Sequence, residues 1–326
     1  MKKTLYRIAN FVYLLLKTRH PFHAFRFSHF KTEPFFYVPW RVDSQGLFFP
    51  ENQLRLPHNF CRRCAYDLNE LCRLARNPFL RAIEQADTNP VLLMQYRGQN
   101  IRFYCRSLDN LVVVNELFTD KIYEFEMGRP LIGIDIGMNA GLSTLLLAAR
   151  PDVQHIYAYE PFQSTFDLAL SNIGLNETLQ EKISPINAGW SDKDGLFSFH
   201  NYEEGSLGAS TSFTADLHTQ GQVAGTTQVR LLDASAELRR ILQLHPNQAL
   251  FVKLDCEGSE YEILEKLDQD GLLPHVHAFL MEWHHKGAEP IEAMLKKNGF
   301  SFFSTGRPDA AQIGFVYAVN THTHAV

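Results

Sequence analysis

From residue 131 onward, apolar residues gather into short runs separated by amphipathic stretches. "LIGIDI" (131–136), "HIYAYE" (155–160), "KISPINAG" (182–189), "ALFVKLD" (249–255) and "HAFLMEW" (277–283) read as strands. Residues 140–149, 163–174, 258–267 and 289–297 read as the helices between or after them. "FSFFST" (300–305) and "IGFVYAV" (313–319) add two late strands, which brings the total to seven. Strand alternating with helix predicts an α/β fold, with a mainly parallel sheet covered by helices on both faces. Ligands of such sheets bind beyond the carboxyl ends of the strands, where the strand order reverses.

Upstream the pattern changes. "PVLLMQYRGQNIRFYCR" (90–106) and "KIYEFEM" (121–127) alternate as strands do, with "GQN" as a hairpin turn. Residues 60–86 read as helical, and residues 18–52 hold four prolines with no clear period. The pattern divides the chain into an N-terminal extension, residues 1–90, and an α/β domain, residues 91–326. At the start, Leu5, Ile8, Val12, Leu15 and Leu16 share one helical face, while Lys3, Arg7 and Lys17 lie elsewhere. Such a helix either packs its stripe on the protein or lies on an anionic membrane surface through residues 1–30. The apolar run "IANFVYLLL" is too short to span a bilayer, and Lys-Thr-Arg-His follows it instead of a small-residue cleavage site.

Charge sharpens this division. Residues 1–42 carry eight Lys and Arg against one acid, Glu33, so they are +7 while the whole chain is −5. The remainder is therefore acidic, which argues against a nucleic-acid partner. Five cysteines, an odd number, fit a reducing compartment and hence the cytoplasm. Cys61, Cys64 and Cys72 lie near His58, but their spacing matches no common zinc site, and buried structural thiols are expected.

The candidate chemistry begins at "IDIGMNAGLST" (134–144). Gly137 permits a sharp turn after the strand and Gly141 permits close packing of the next helix. The backbone N–H groups around Met138, Asn139 and Ala140 are then expected to face the crevice. A dinucleotide site calls for G-x-G-x-x-G, whereas Gly133, Gly137 and Gly141 are spaced by four. Asp135 at the strand tip would repel a pyrophosphate but suits a cationic amino acid portion, as in S-adenosylmethionine. Glu160, in "AYEP", ends the second strand and is placed to accept both hydroxyls of a ribose.

These segments resemble the FkbM family of S-adenosylmethionine-dependent methyltransferases. "IDIGMNAGLST" is similar to the family's D-x-G-A-N-x-G, "YEP" to its F-E-P, and "FVKLDCEGSEYEILE" to K-I-D-V-E-G-x-E. "INAGWSDKDG", "VRLLDASAEL" and "MEWHH" resemble further family segments, and the likeness runs from about residue 100 to 285. Met138 stands in place of the family's usual alanine, and Ala140 in place of a larger residue. The resemblance implies a Rossmann-like class I methyltransferase fold and a cofactor site of Asp135, Gly137, Met138, Asn139, Gly141, Glu160, Pro161, Ala188 and Asp255. It also implies O-methylation of a hydroxyl on a sugar, glycan or related small molecule. His284 is nominated as the base, Glu282 as the group that orients it, and Asp255 as the residue facing the methyl group. Lys253 is expected to pair with Asp255 or Glu257. Cys256 is expected to be packed, because acidic neighbours raise a thiol's pKa. A divalent metal on Asp255 with Glu282 or His284 is compatible with these residues, but the spacing does not demand one. Residues 199–228, rich in Gly, Ser and Thr, are read as a lid over the acceptor or as a plain loop. Two other readings stand beside this one: a catalytically silent scaffold docked through the basic N-terminus, and a nicotinamide dehydrogenase, which the glycine spacing disfavours.

Overall fold

The computed structural model describes residues 40–85, 88–202, 223–306 and 313–321. The expectations for residues 1–39, including the amphipathic helix and its membrane contact, lie outside the described residues, as does 203–222 of the expected lid. Contacts divide the chain into two compact units, one ending at Glu124 and one beginning at Phe125. Among the described residues no helix is long and apolar enough to cross a membrane.

In the first unit a three-stranded meander, β1 (Arg41–Asp43), β2 (Gly46–Phe49) and β3 (Leu54–Pro57), occupies part of the stretch where no element was expected. The helical reading of 60–86 separates into α1 (His58–Arg63), α2 (Leu68–Arg76) and a strand, β4 (Leu80–Glu84). Ala65 and Tyr66 take positive φ between the helices, and Asn77, which precedes Pro78, is extended, as the proline ring requires. The Asp67 side chain caps α2 by accepting from the Glu70 N–H. β4 pairs with the hairpin β5 (Val91–Tyr96) and β6 (Gln99–Tyr104), whose turn is Arg97–Gly98, both at positive φ. That pairing places the hairpin in the first unit, whereas the sequence pattern assigned it to the second domain. After α3 (Leu108–Asn115) and a π-helical turn, Lys121 is left-handed and residues 121–127 form no strand. Phe79, Tyr96, Phe103 and Phe118 pack together in this unit. Cys61, Cys64 and Cys72 are buried free thiols, and the Cys61 thiol donates to the Leu56 carbonyl.

The second unit holds the seven expected strands. They are β7 (Leu131–Ile136), β8 (Val153–Tyr159), β9 (Ile183–Ile186), β13 (Ala249–Leu254), β14 (Ala278–His284), β15 (Phe300–Gly306) and β16 (Ile313–Asn320). Their order is β15-β16-β14-β13-β7-β8-β9, with β16 antiparallel to both its neighbours and the remaining pairs parallel. Every residue of β7 and β13 is buried, as central parallel strands require. The helices are α4 (Leu142–Ala148), α5 (Gln163–Ile173), α6 (Glu177–Gln180), α7 (Ala234–Leu244), α8 (Glu260–Gln269) and α9 (Glu289–Lys297). Apolar residues of α7, α8 and α9 join those of β7, β13 and β14 in one core that includes Leu238, Ile241, Leu264, Leu267, Ile291 and Leu295. Beside it β10 (Gly189–Ser191), β11 (Gly195–Tyr202) and β12 (Val223–Asp233) form a smaller sheet. The two flanks of the expected lid, 199–202 and 223–228, are therefore antiparallel ladder and not loop. Following the chain, β7 leads outward to β8 and β9 on one side, while β13 and β14 lie on the other. The order thus reverses between β7 and β13, and their carboxyl ends border the crevice.

Candidate active site

The turn after β7 is built by two left-handed glycines and one asparagine. Gly137 has φ +83°, and a Cβ there would lie 1.9 Å from the Asp255 carbonyl oxygen, so no side chain fits. Asn139 has φ +51°, and Gly141, at φ +80°, opens α4 with Ala169 of α5 close beside it. The loop is held from within. Gly137 and Met138 donate their N–H groups to the Tyr159 carbonyl at 3.0 and 2.9 Å. Asn139 N–H donates to Glu160 Oε2 at 3.2 Å, Ala140 N–H to Asn139 Oδ1 at 2.6 Å, and Gly141 N–H to the Met138 carbonyl at 2.8 Å. The expectation that N–H groups of 138–140 face the crevice is corrected: each already has an acceptor in the chain. Met138 is buried, and Asn139 is the exposed residue of the loop.

Asp135 is fully buried. Its Oδ2 accepts from Ser143 at 3.0 Å and Thr144 at 2.6 Å, while Oδ1 faces the Lys253 ammonium at 3.0 Å. Direct contact with a ligand ammonium is therefore replaced by an internal role. Lys253, on β13, also donates to the Gly137 carbonyl at 2.7 Å and lies 3.5 Å from Asp255 Oδ2. Burial works against its charge, but the carboxylates of Asp135 and Asp255 outweigh that, and its pKa is raised. Lys253 thus ties the ends of two strands to the glycine turn. The sequence placed it near Asp255 but did not reveal its closer pairing with Asp135.

Glu160 stands at the end of β8, nearly buried. Besides Asn139 N–H on Oε2, Oε1 accepts from Phe162 N–H at 3.0 Å. Burial raises its pKa to about 7, against the pull of those two N–H bonds. Asn187, which sequence reasoning passed over, donates its amide to the carbonyls of Glu160 and Pro161 at 2.9 and 3.3 Å. Ala188 and Pro161 are buried, so neither presents much side chain.

On the other side of the crevice, Asp255 follows β13 and is partly exposed, and Glu257 is left-handed at φ +55°. Glu260 is fully buried in the first turn of α8. Its Oε1 accepts from Cys256 N–H at 2.8 Å and contacts His284 Nδ1 at 3.1 Å. Oε2 of Glu260 has no hydrogen-bond partner among the described residues. His284, at the end of β14, is 3% exposed, whereas His285 is exposed. Burial alone would lower the His284 pKa, but Glu260, Asp255 and Glu257 surround the ring and raise it to about 9. Glu260 is thus a carboxylate partner of His284 that the sequence did not reveal, and the acids around the ring favour its protonated form. Asp255, Glu282 and His284 do converge, each offering a ligand atom within 4.8 Å of the others. Burial and the Glu260 and Asp255 carboxylates push the Cys256 thiol up, in accord with its reading as packed.

The strand ends thus bring together a buried carboxylate–lysine pair, a strand-end glutamate and a histidine ringed by acids. Residues 135–302 match the family model of the methyltransferase FkbM domain, 168 of 326 residues and more than half of the chain. Methyltransferase sdnD of Sordaria araneosa is 28% identical over 214 residues, covering 58% of this chain and 81% of sdnD. AMB antimetabolite synthetase AmbE of Pseudomonas aeruginosa is 23% identical over 226 residues, covering 58% of this chain but spanning only 10% of AmbE. The solved structure of methyltransferase FkbM from Methylobacillus flagellatus KT has 12% identity and a TM-score of 0.41, over 62% of this chain and 46% of that one. The chain belongs to the FkbM methyltransferase domain family.

Proposed function

We propose that the protein is an S-adenosylmethionine-dependent methyltransferase acting on a hydroxyl of a sugar, glycan or related small molecule. The observation that carries this is the crevice between β7 and β13, where Glu160 and Asp255 flank a glycine turn held by Lys253. Each Glu160 oxygen takes one backbone N–H, so each keeps acceptor capacity for a ribose hydroxyl. Acids outnumber bases around the crevice: Asp135, Asp255, Glu257, Glu260 and Glu282 against Lys253 and His284. That excess suits a cationic cofactor better than a pyrophosphate. When bound, the cofactor supplies an electrophilic methyl group, so that a C–O bond forms as a C–S bond breaks and a neutral thioether leaves.

The chain's own residues have three tasks. Glu160, pinned by Asn139 and Phe162, orients the nucleoside. Lys253 fixes the turn and keeps Asp255 facing the crevice. The acceptor must lose a proton, and the half-exposed Glu257 carboxylate beside the Asp255, Glu282 and His284 cluster is placed to take it. Because the leaving group is neutral, positioning and exclusion of water do most of the work. The test is binding of S-adenosylhomocysteine to wild type and to Glu160→Ala, followed by a search for methyl transfer to hydroxylated acceptors. Equal affinity of the two proteins would reject the site assignment.

A further inference from the structure

We infer that Asp255, Glu282 and His284 form a binding site for one divalent transition-metal cation of the Mn2+ type. Register and period bring the three together. β13 and β14 are parallel neighbours with Leu254 opposite Met281, so Asp255 and Glu282 follow side by side at the same level. Glu282 and His284 are two residues apart on one strand and therefore point to the same face. Their ligand atoms and that of Asp255 lie within 4.8 Å of one another, so small side-chain shifts bring all three to the bonds of about 2 Å that one cation needs.

The histidine is prepared from behind. Its Nδ1 is engaged by fully buried Glu260 at 3.1 Å, so Nε2 is the nitrogen left for a metal. Nε2 faces Glu257 Oε2 at 3.7 Å, beyond hydrogen-bond range, and that side chain is 41% exposed and able to swing aside. A carboxylate that orients a histidine through its far nitrogen is the usual outer support of a metal ligand. Electrostatics agree: Glu260 keeps one buried oxygen without a hydrogen bond, and such groups are costly without nearby positive charge. Two oxygens and one imidazole favour Mn2+ or a similar ion over Ca2+, which takes oxygen ligands alone.

A cation held here has three protein ligands, which leave coordination positions open. Its use rests on the methyl-transfer reading: the open positions hold the acceptor oxygen and ease loss of its proton to Glu257 at the solvent edge. Occupancy itself does not depend on that reading.

The experiment is titration of the chelator-treated full chain with MnCl2 alone, followed by electron paramagnetic resonance of free Mn2+ and by calorimetry. S-adenosylhomocysteine binding is measured on the same samples. The expected result is one Mn2+ per chain, at least tenfold weaker in Glu282→Gln. Glu260→Gln, which removes a positioning residue, should weaken binding about tenfold to a hundredfold and alter the spectrum of bound Mn2+. Asp255→Asn is the second ligand variant should Glu282→Gln fail to fold, as judged by its circular dichroism melt. Wild type that binds S-adenosylhomocysteine but no Mn2+ would overturn the inference, as would undiminished Mn2+ binding by the folded ligand variants. Mn2+ binding without S-adenosylhomocysteine binding would uphold this site and reject the methyl-donor reading.

Discussion

Each unit of this chain buries a glutamate near the start of a helix, and the two are handled differently. In the first unit Glu70 receives both oxygens' worth of donors: Arg73 Nη1 at 3.0 and 2.9 Å, and the Asn115 amide at 2.8 Å. In the second unit Glu260 spends one oxygen on His284 and Cys256 N–H and keeps the other without a hydrogen bond. A buried carboxylate that is fully matched is part of the scaffold, and one left partly unmatched marks where chemistry is arranged. The same contrast runs through the units. The first packs an aromatic cluster and buried thiols, whereas the second concentrates charge at strand ends where backbone conformation is strained.

The largest effects are expected where charge and backbone meet. Gly137→Ala forces a Cβ onto the Asp255 carbonyl at positive φ and should cost at least ~4 kcal/mol, or abolish folding of the second unit, in urea denaturation. Lys253→Met leaves Asp135 buried without its cation and should cost about 3–5 kcal/mol by the same measurement. Glu70→Ala should cost about 3 kcal/mol yet leave affinity for S-adenosylhomocysteine within twofold. A larger loss of affinity would break the division between scaffold glutamate and site glutamate.

Glu160 sharpens the comparison through pH. Its pKa is raised from 4.5 to about 7. The neutral form is therefore favoured on folding, and the stability this group contributes is complete below 4.5 and lost as pH rises through about 7. Ligand binding runs the other way, because the carboxylate is the better acceptor of two hydroxyls. Affinity for S-adenosylhomocysteine should rise severalfold from pH 6 to pH 8, and Glu160→Gln should flatten that rise. At the small end, Arg102→Ala breaks a half-exposed pair with Glu84 and should shift stability by less than ~0.5 kcal/mol, since solvent screens the charges.

Much of the second unit was legible because its strands are short apolar runs with clear helices between them. The seven strands and the strand-end residues Asp135 and Glu160 followed from that rhythm, while Asp255 and His284 were singled out by the resemblance of "FVKLDCEGSEYEILE" and "MEWHH" to family segments. "KIYEFEM" misled because alternation alone cannot tell a strand from a segment that buries Tyr123 with no ladder neighbour. Residues 60–86 misled because two left-handed residues, Ala65 and Tyr66, carry no glycine to announce the break. In the site, what stayed hidden was pairing across elements. The sequence put Glu260 in a helix's first turn, where acids are common, but its contact with His284 depends on how α8 packs beside β14. Likewise the N–H groups of Met138 and Asn139 looked available because their acceptors, Tyr159 and Glu160, come from the next strand, while that of Ala140 is taken by the Asn139 side chain.

Whether the β7–β13 crevice holds S-adenosylmethionine is decided by calorimetric titration with S-adenosylhomocysteine, with NAD as control. One site per chain for S-adenosylhomocysteine is expected, at least tenfold weaker in Glu160→Ala, with no heat from NAD. Binding of NAD, or no binding of S-adenosylhomocysteine to folded protein, would contradict that expectation.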